Sequence, residues 1–190
     1  LRRYPARMSA LLVLLPLYAV PYAQEPVPSH QEVLKQIRKQ VEKDRKRAKG
    51  QLERLRSQLA LDPRQQGSAV NNAVRRAALL GSAAIPGLLS WLDPGQGDGS
   101  ALFLSRSSAA ALSLIADASL VPELVRRTRD GGIFGRWNAV SVLGAIGDSA
   151  AEGPLMDLLD DPDLEVAAME ALATAGDEAC VEAVARRLSS

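Results

Sequence analysis

Apolar side chains return every three or four positions through most of the chain, which is the spacing of one face of an α-helix. In the stretch "RWNAVSVLGAIGD" the apolar Leu143 and Ile146 lie three residues apart near the end of such a face. Gly147 then suits the left-handed conformation that ends a helix, and Asp148 or Ser149 can cap the helix that follows. This stretch therefore predicts a helix, a tight corner and the start of a second helix.

The second helix of this unit is predicted from "AAEGPLMDLL". It contains Pro154, which a helix tolerates best in or near its first turn, so the helix is expected to begin close to Ala150. The run "DDPD" at 160–163 then interrupts the chain and caps the next helix. Because one hairpin of this kind cannot bury its apolar stripe alone, several are expected to stack.

The glycine–aspartate corner returns along the chain. The pair at 147–148 has a counterpart 29 residues later, and an aspartate without the glycine occupies the same place 31 residues earlier. A weaker fourth copy, "AALLGSAAIPGLLSWL", lies at 77–92. The residues predicted to form these corners, with a structural role, are Asp117, Gly147, Asp148, Gly176 and Asp177.

A period near 30 residues is typical of stacked helical hairpins. We therefore predict an all-α fold, an α-solenoid of about four stacked antiparallel hairpins over residues 67–189, preceded by a long basic helix. Two joints interrupt the pattern. "DPGQGDGSALFLS" at 93–105 is longer and richer in glycine than a hairpin turn needs, which predicts a mobile insert, and "RRTRDGGIFGRW" at 126–137 is a second irregular joint.

The clearest unit resembles a known family, the HEAT repeats, in the short form first described in phycobilisome lyases. The pattern of that family is roughly R-x-x-A-x-x-A-L-G-x-I-G-D, followed by a proline-containing helix. The matching residues are Arg136, Ala139, Leu143, Gly144, Ile146, Gly147 and Asp148. The next unit departs from the pattern with Glu165 in place of the arginine, and the preceding unit has Ala116 in place of the corner glycine. The resemblance covers about 68–188 and implies an α-solenoid that binds other proteins.

A long amphipathic helix is predicted over residues 30–61. Ser29 and Glu32 have the spacing of a capping box, and Pro63 limits the far end. The apolar stripe consists of Leu34, Ile37, Val41, Ala48, Leu52, Leu55 and Leu59. Two interpretations stay open, because the stripe can pack on the repeats or form a short coiled coil, although Asp44 interrupts a coiled-coil seam.

Charge is distributed unevenly although the net charge is only +1. Residues 24–60 hold ten Lys or Arg against five Asp or Glu, whereas residues 61–190 hold ten against seventeen. A basic arm therefore precedes an acidic body, and the arm can meet an acidic surface, its own body included. The arm residues expected at an anionic surface, such as a weak contact with membrane headgroups, are Lys43, Arg45, Lys46, Arg47 and Lys49. The absence of aromatic residues from 24–60 argues against nucleic acid.

The first residues have the layout of a secretory signal peptide. Three arginines precede an apolar run at 10–20, and Ala23 precedes a polar, proline-containing linker at 24–29. We expect a bacterial protein exported to the periplasm or the extracellular space, with residues 1–23 removed. An uncleaved segment that anchors the protein in the membrane is the first alternative, and a cytoplasmic protein is the second.

The amino-acid composition of the chain limits its fold class and the kinds of functional site that it can form. Hydrophobic residues make up 47% of the chain and aromatic residues only 4%, which favours closely packed helices over sheets. Cys180 and His30 are the sole cysteine and histidine, so no zinc, haem or other cofactor is expected and a histidine-based triad is strongly disfavoured. Cys180 is expected to be packed and His30 solvated. The acidic run at 157–165 lacks the spacing of a calcium loop, and we interpret it as turn chemistry.

Four large aromatic residues lie near the repeats and are candidates to anchor a partner, with packing between repeats as the alternative: Trp91, Phe103, Phe134 and Trp137. We expect an exported, non-catalytic scaffold or adaptor that binds protein partners, and no small-molecule substrate is evident. The alternatives are a component similar to the bilin lyases, which the family resemblance brings in, and a peripheral envelope protein held by the basic helix.

Overall fold

The computed structural model describes residues 29–95, 97–175 and 178–188. The predicted signal peptide, nearly all of the predicted linker, and Gly176 and Asp177 lie outside these residues. Every regular element in the described part of the chain is a helix, and no strand occurs there. The predicted all-α fold class is therefore confirmed.

The helices of the described residues are α1 (His30–Leu59), α2 (Pro63–Ala78), α3 (Ile85–Ser90), α4 (Gly99–Ser113), α5 (Val121–Arg129), α6 (Ile133–Ile146), α7 (Ser149–Asp157), α8 (Glu165–Ala175) and α9 (Glu178–Leu188). Short 3₁₀ turns join some of them at Gly81–Ala84, Ala118–Leu120 and Leu158–Asp160. The chain divides into two compact units, residues 1–37 and 38–190.

The described part of the first unit is the start of α1. The backbone N–H of Glu32 donates to the hydroxyl of Ser29 at 3.3 Å and to its carbonyl at 2.9 Å, so Ser29 caps the helix as the spacing predicted. Val33, Leu34 and Ile37 follow, and all three side chains are exposed.

In the second unit, residues 38–190, the helices form an α-solenoid of four hairpins. The first helices of the hairpins, α2, α4, α6 and α8, contact one another in that order. The second helices lie beside them, with α5 against both α6 and α7, and α7 against both α8 and α9. The apolar stripes make this core: Ala139, Val140, Val142 and Leu143 of α6 are all fully buried.

The turn between α6 and α7 shows why an aspartate directly follows a glycine in the sequence. Gly147 has a φ of 62°, in the left-handed region that a side chain disfavours. Asp148 then caps α7, and its carboxylate accepts the N–H of Ala150 at 2.9 Å. Asp117 makes the same contact with the N–H of Ser119, also at 2.9 Å, one hairpin earlier.

The predicted start of α7 close to Ala150 is confirmed, because the helix begins at Ser149. Pro154 is the sixth residue of α7 and lies in its second turn rather than its first. In the two earlier hairpins a 3₁₀ turn precedes the α-helix, so the proline lies near the first α-helical position. The connection predicted at 93–105 is shorter than expected, because Asp98 caps α4, which begins at Gly99.

The later part of α1 packs on the repeats rather than forming a coiled coil. Leu52, Leu55 and Leu59 are buried in the same core as residues of α2 and α3, and Ala48 is buried one turn before Leu52. Leu52 lies so close to Gly87 of α3 that a β-carbon there would be 2.7 Å from the leucine methyl. This stretch of α1 therefore belongs to the folded core.

Candidate protein-binding groove

A groove crosses three neighbouring first helices, α4, α6 and α8. It consists of two adjoining cavities of about 430 Å³ and 280 Å³, which share Ser113, Ser141, Ala167 and Glu170. We call this surface the α4–α6–α8 groove. Small side chains line most of it, because the helices that stack here approach one another closely.

Two aromatic rings stand in the larger cavity of the groove. Phe134 is 48% exposed and Trp137 is 45% exposed, although both belong to the well-packed helix α6. The indole N–H of Trp137 donates to the carbonyl of Asp163 at 2.6 Å, which satisfies its one polar atom and fixes the ring. An aromatic ring that is fixed by a hydrogen bond and still exposed to solvent is the kind of side chain that anchors protein partners.

Gly144 of α6 lines the smaller cavity of the groove. A β-carbon at this position would lie 2.7 Å from the β-carbon of Ala171 and 2.8 Å from its α-carbon. Both residues line the smaller cavity. Glycine on α6 therefore lets α8 come close beside the smaller cavity.

A buried polar network holds α6 in place beneath the groove. The side-chain amide of Asn138 donates to the carbonyl of Leu92 at 3.0 Å and to the hydroxyl of Ser105 at 2.5 Å. The Ser105 hydroxyl donates to the same carbonyl at 2.6 Å. The carbonyl of Leu92, just after α3, thus accepts hydrogen bonds from Ser105 of α4 and Asn138 of α6. These bonds fix α3, α4 and α6 relative to one another.

Arg136 ties the preceding hairpin to the turn after α7. Its Nε–H donates to the carbonyl of Thr128 at 2.7 Å, and its guanidinium is hydrogen-bonded to the carboxylate of Asp161. Burial alone would raise the pKa of Asp161, but the N–H of Asp163 and the charge of Arg136 outweigh it and hold the pKa below its usual range. Sequence reasoning assigned Arg136 no role of its own, although the arginine that opens the family motif was the available signal.

The irregular joints predicted at 93–105 and 126–137 meet each other. The carboxylate of Asp93 accepts the N–H of Gly95 at 2.9 Å and that of Gly132 at 2.9 Å, across 39 residues of sequence. Gly135 packs directly on Asp93, because a β-carbon there would lie 2.8 Å from the β-carbon of Asp93. These contacts set the start of α6, the helix that carries Phe134 and Trp137.

A second groove, of about 410 Å³, lies between α1 and α3. Arg45, Lys46 and Lys49 border it, and Lys46 is paired with Glu42 at 2.9 Å. Trp91 forms part of its wall, with the guanidinium of Arg56 at 5.8 Å from the ring centroid. The predicted arm residues, Lys43 and Arg47 included, are all exposed.

The structure separates the four candidate aromatic residues. Phe134 and Trp137 share the α4–α6–α8 groove, Trp91 lies in the second groove, and Phe103 is half-buried on α4. Cys180 is buried. Among the described residues, no three His, Cys, Asp or Glu side chains are placed to hold a metal ion, and no helix combines the length and hydropathy that crossing a bilayer needs.

Comparison with known protein families gives a match to one hairpin of the chain. Residues 135–161, which run from α6 through the glycine–aspartate corner and α7 to the closing turn, match the family described as PBS lyase HEAT-like repeat. Neither the curated proteins nor the solved structures compared with the chain gave a match. The matched segment is the unit in which the capped corner and Arg136 are both observed. Residues 135–161 are therefore similar to a HEAT-like repeat.

Proposed function

We propose that this protein is a non-catalytic scaffold or adaptor that binds a protein partner in the α4–α6–α8 groove. The observation that carries the proposal is the pair of exposed rings of Phe134 and Trp137 on a helix whose other face is fully buried. Solvent-exposed aromatic rings on a rigid element are favourable anchors, because little conformational entropy is lost when a partner covers them.

The lining of the groove supports binding rather than catalysis. Its polar side chains are largely engaged in the fold: Asn138 bonds to Leu92 and Ser105, and the Ser113 hydroxyl donates to the carbonyl of Ala109 at 3.0 Å. No histidine or cysteine lines either cavity in the described residues. A nucleophile with an adjacent base, which covalent catalysis requires, is not assembled among these side chains.

The shape of the groove favours a single elongated segment as the bound element. Its floor is made of alanine, serine and glycine at helix crossings, and the bulky rings stand at one end. A partner helix or strand with one or two large apolar side chains would meet those rings while its backbone lies along the small residues. Arg106 and Glu170, both exposed in the same cavity, would orient a polar flank.

Partner capture tests the proposal. The purified protein is immobilised as wild type, as Phe134→Ala, and as Leu114→Ala, where Leu114 is an exposed leucine that lies outside the groove. Removing one anchoring ring is expected to lower recovery of the partner about tenfold, whereas the control is expected to match wild type. A partner retained equally by all three proteins would contradict binding in this groove.

We also propose that the protein acts outside the cytoplasm. Support comes from the sequence of residues 1–23, with three arginines, an apolar run and Ala23 before a polar linker. N-terminal sequencing of the protein from fractionated bacterial cells is expected to give a soluble envelope form that begins at Gln24. A form in the cytoplasmic fraction that retains Arg2 and Arg3 would overturn this compartment.

A further inference from the structure

The early turns of α1 carry an exposed apolar face. Ile37 is 53% exposed and Val41 is 44% exposed, and Leu34 is exposed as well. The same face of the same helix becomes fully buried only later, from Ala48 onward, where it packs on the repeats. One amphipathic helix therefore has a covered half and an uncovered half.

The uncovered half is strongly basic. Residues 35–47 include seven Lys or Arg and only two Asp or Glu. Arg38 and Arg45 are seven residues apart, so they follow one edge of the apolar stripe. Pairing this helix with another copy of itself would bring like charges together, which disfavours a coiled coil between two such helices.

The complementary surface is on the same chain. Residues 137–185 contain eleven Asp or Glu and no Lys or Arg. Its acidic residues on the walls of the α4–α6–α8 groove belong to α8, because the α6 part of the segment holds none. Glu170 lines the groove, with Arg106 of α4 in the same cavity. The carboxylate of Asp163, beside Trp137, is 66% exposed and lies 3.8 Å from the guanidinium of Arg136.

We infer that the uncovered half of α1 from one copy of this chain docks in the α4–α6–α8 groove of a second copy. The inference rests on the proposed function, because it names the partner of that same groove. Ile37 and Val41, one helical turn apart, would cover Phe134 and Trp137, while the arginines along the stripe would face the carboxylates of α8. Electrostatic attraction of this kind weakens as salt rises.

The length of the uncovered half of α1 matches the width of the α4–α6–α8 groove. Residues 34–47 of an α-helix extend about 20 Å, at 1.5 Å per residue. Three stacked helices, with neighbouring axes 8–10 Å apart, present a surface about 16–20 Å across. Each copy offers one helix and one groove, so two copies can exchange their helices reciprocally or several can link head to tail.

Light scattering on size-exclusion columns tests the inference with two variants of the full chain. The helix variant carries Ile37→Ser and Val41→Ser, and the groove variant carries Phe134→Ala and Glu170→Lys; all four side chains are exposed, so both variants are expected to fold. Wild type is expected to have the mass of two or more chains at about 50 mM salt and of one chain at about 500 mM salt.

Each variant alone is expected to be monomeric at low salt. An equimolar mixture of the two is expected to regain a two-chain species, because the groove variant supplies an intact helix and the helix variant supplies an intact groove. Leu114→Ser serves as the control for an exposed leucine outside both surfaces and is expected to associate like wild type.

Four results would overturn the inference. A wild type that is monomeric at low salt would remove the second copy as the partner. Self-association of the groove variant would indicate pairing between α1 helices, and self-association of the helix variant would indicate pairing between grooves. A monomer that instead sediments with anionic vesicles at low salt would assign the helix to a lipid surface. A monomer that still captures another protein through Phe134 would leave the proposed function intact.

Discussion

Replacing Gly144 with alanine tests the close stacking of α6 on α8. In an open helix interior this change is stabilising by about 0.5–1 kcal/mol, because alanine loses less backbone entropy than glycine. At Gly144 the new methyl would stand 2.7 Å and 2.8 Å from the β- and α-carbons of Ala171, whereas carbon atoms pack at about 3.5–4.0 Å. The second of these atoms is backbone, so α8 itself has to move away.

Steric overpacking of this kind destabilises by about 1–3 kcal/mol, which exceeds the gain in helix propensity. We therefore expect the free energy of unfolding of Gly144→Ala to fall by about 1–2 kcal/mol, and the Tm by about 2–6 °C. Urea unfolding followed by circular dichroism measures the first quantity. Gly50→Ala is the matched control, because Gly50 lies inside α1 with no atom within 4 Å of the added methyl, and it is expected to stabilise.

A second substitution tests whether the new methyl at position 144 clashes with Ala171. Ala171→Gly removes the nearer of the two atoms, so its combination with Gly144→Ala is expected to destabilise less than the sum of the single changes. If Gly144→Ala were as stabilising as Gly50→Ala, or if the double variant were strictly additive, α6 and α8 would not be in the contact described.

Three further outcomes follow from the contacts. Asn138→Ala is expected to lower the free energy of unfolding by about 1–3 kcal/mol in urea, because it removes two hydrogen bonds from a buried network. Leu52→Ala is expected to cost about 2–5 kcal/mol in the same assay, whereas Val41→Ala, on the exposed turns of the same helix, is expected to change it by less than about 0.5 kcal/mol. The pKa of Asp161 is lowered in the folded protein, so its stabilising contribution is present above the unfolded value of about 3.9 and is lost as pH falls through the folded pKa. Asp161→Asn should therefore melt below wild type at neutral pH, with the difference in Tm closing below about pH 4, and a difference that persisted in acid would show that the Arg136 ion pair is not its origin.

The helices and corners of the repeats could be predicted from sequence because their causes are local. A left-handed Gly147 and a capping Asp148 act within a few residues of their own positions, so spacing alone indicates a helix end and a helix start. The start of α7 was predicted to within one residue for the same reason, although Pro154 lies in its second turn rather than its first. Whether a 3₁₀ turn or an α-helical turn precedes a proline depends on packing.

The groove could be predicted only in part, because its features depend on residues far apart in sequence. Asp93 meets Gly132 and Gly135 across about 40 positions, and Asn138 meets Leu92 across 46. Composition identified four candidate aromatic residues, but exposure after folding distinguishes Phe134 and Trp137 from the half-buried Phe103. No periodic pattern encodes which of these rings remains uncovered.

Site-specific cross-linking tests most directly whether the α4–α6–α8 groove binds a protein. A photoreactive amino acid is placed at Phe134 inside the groove or at Met156, an exposed residue of α7 outside it, and each protein is irradiated in its native cells. Binding in the groove predicts a covalent adduct of higher mass from position 134 and none from position 156. Adducts of equal yield at both positions, or at position 156 alone, would contradict it.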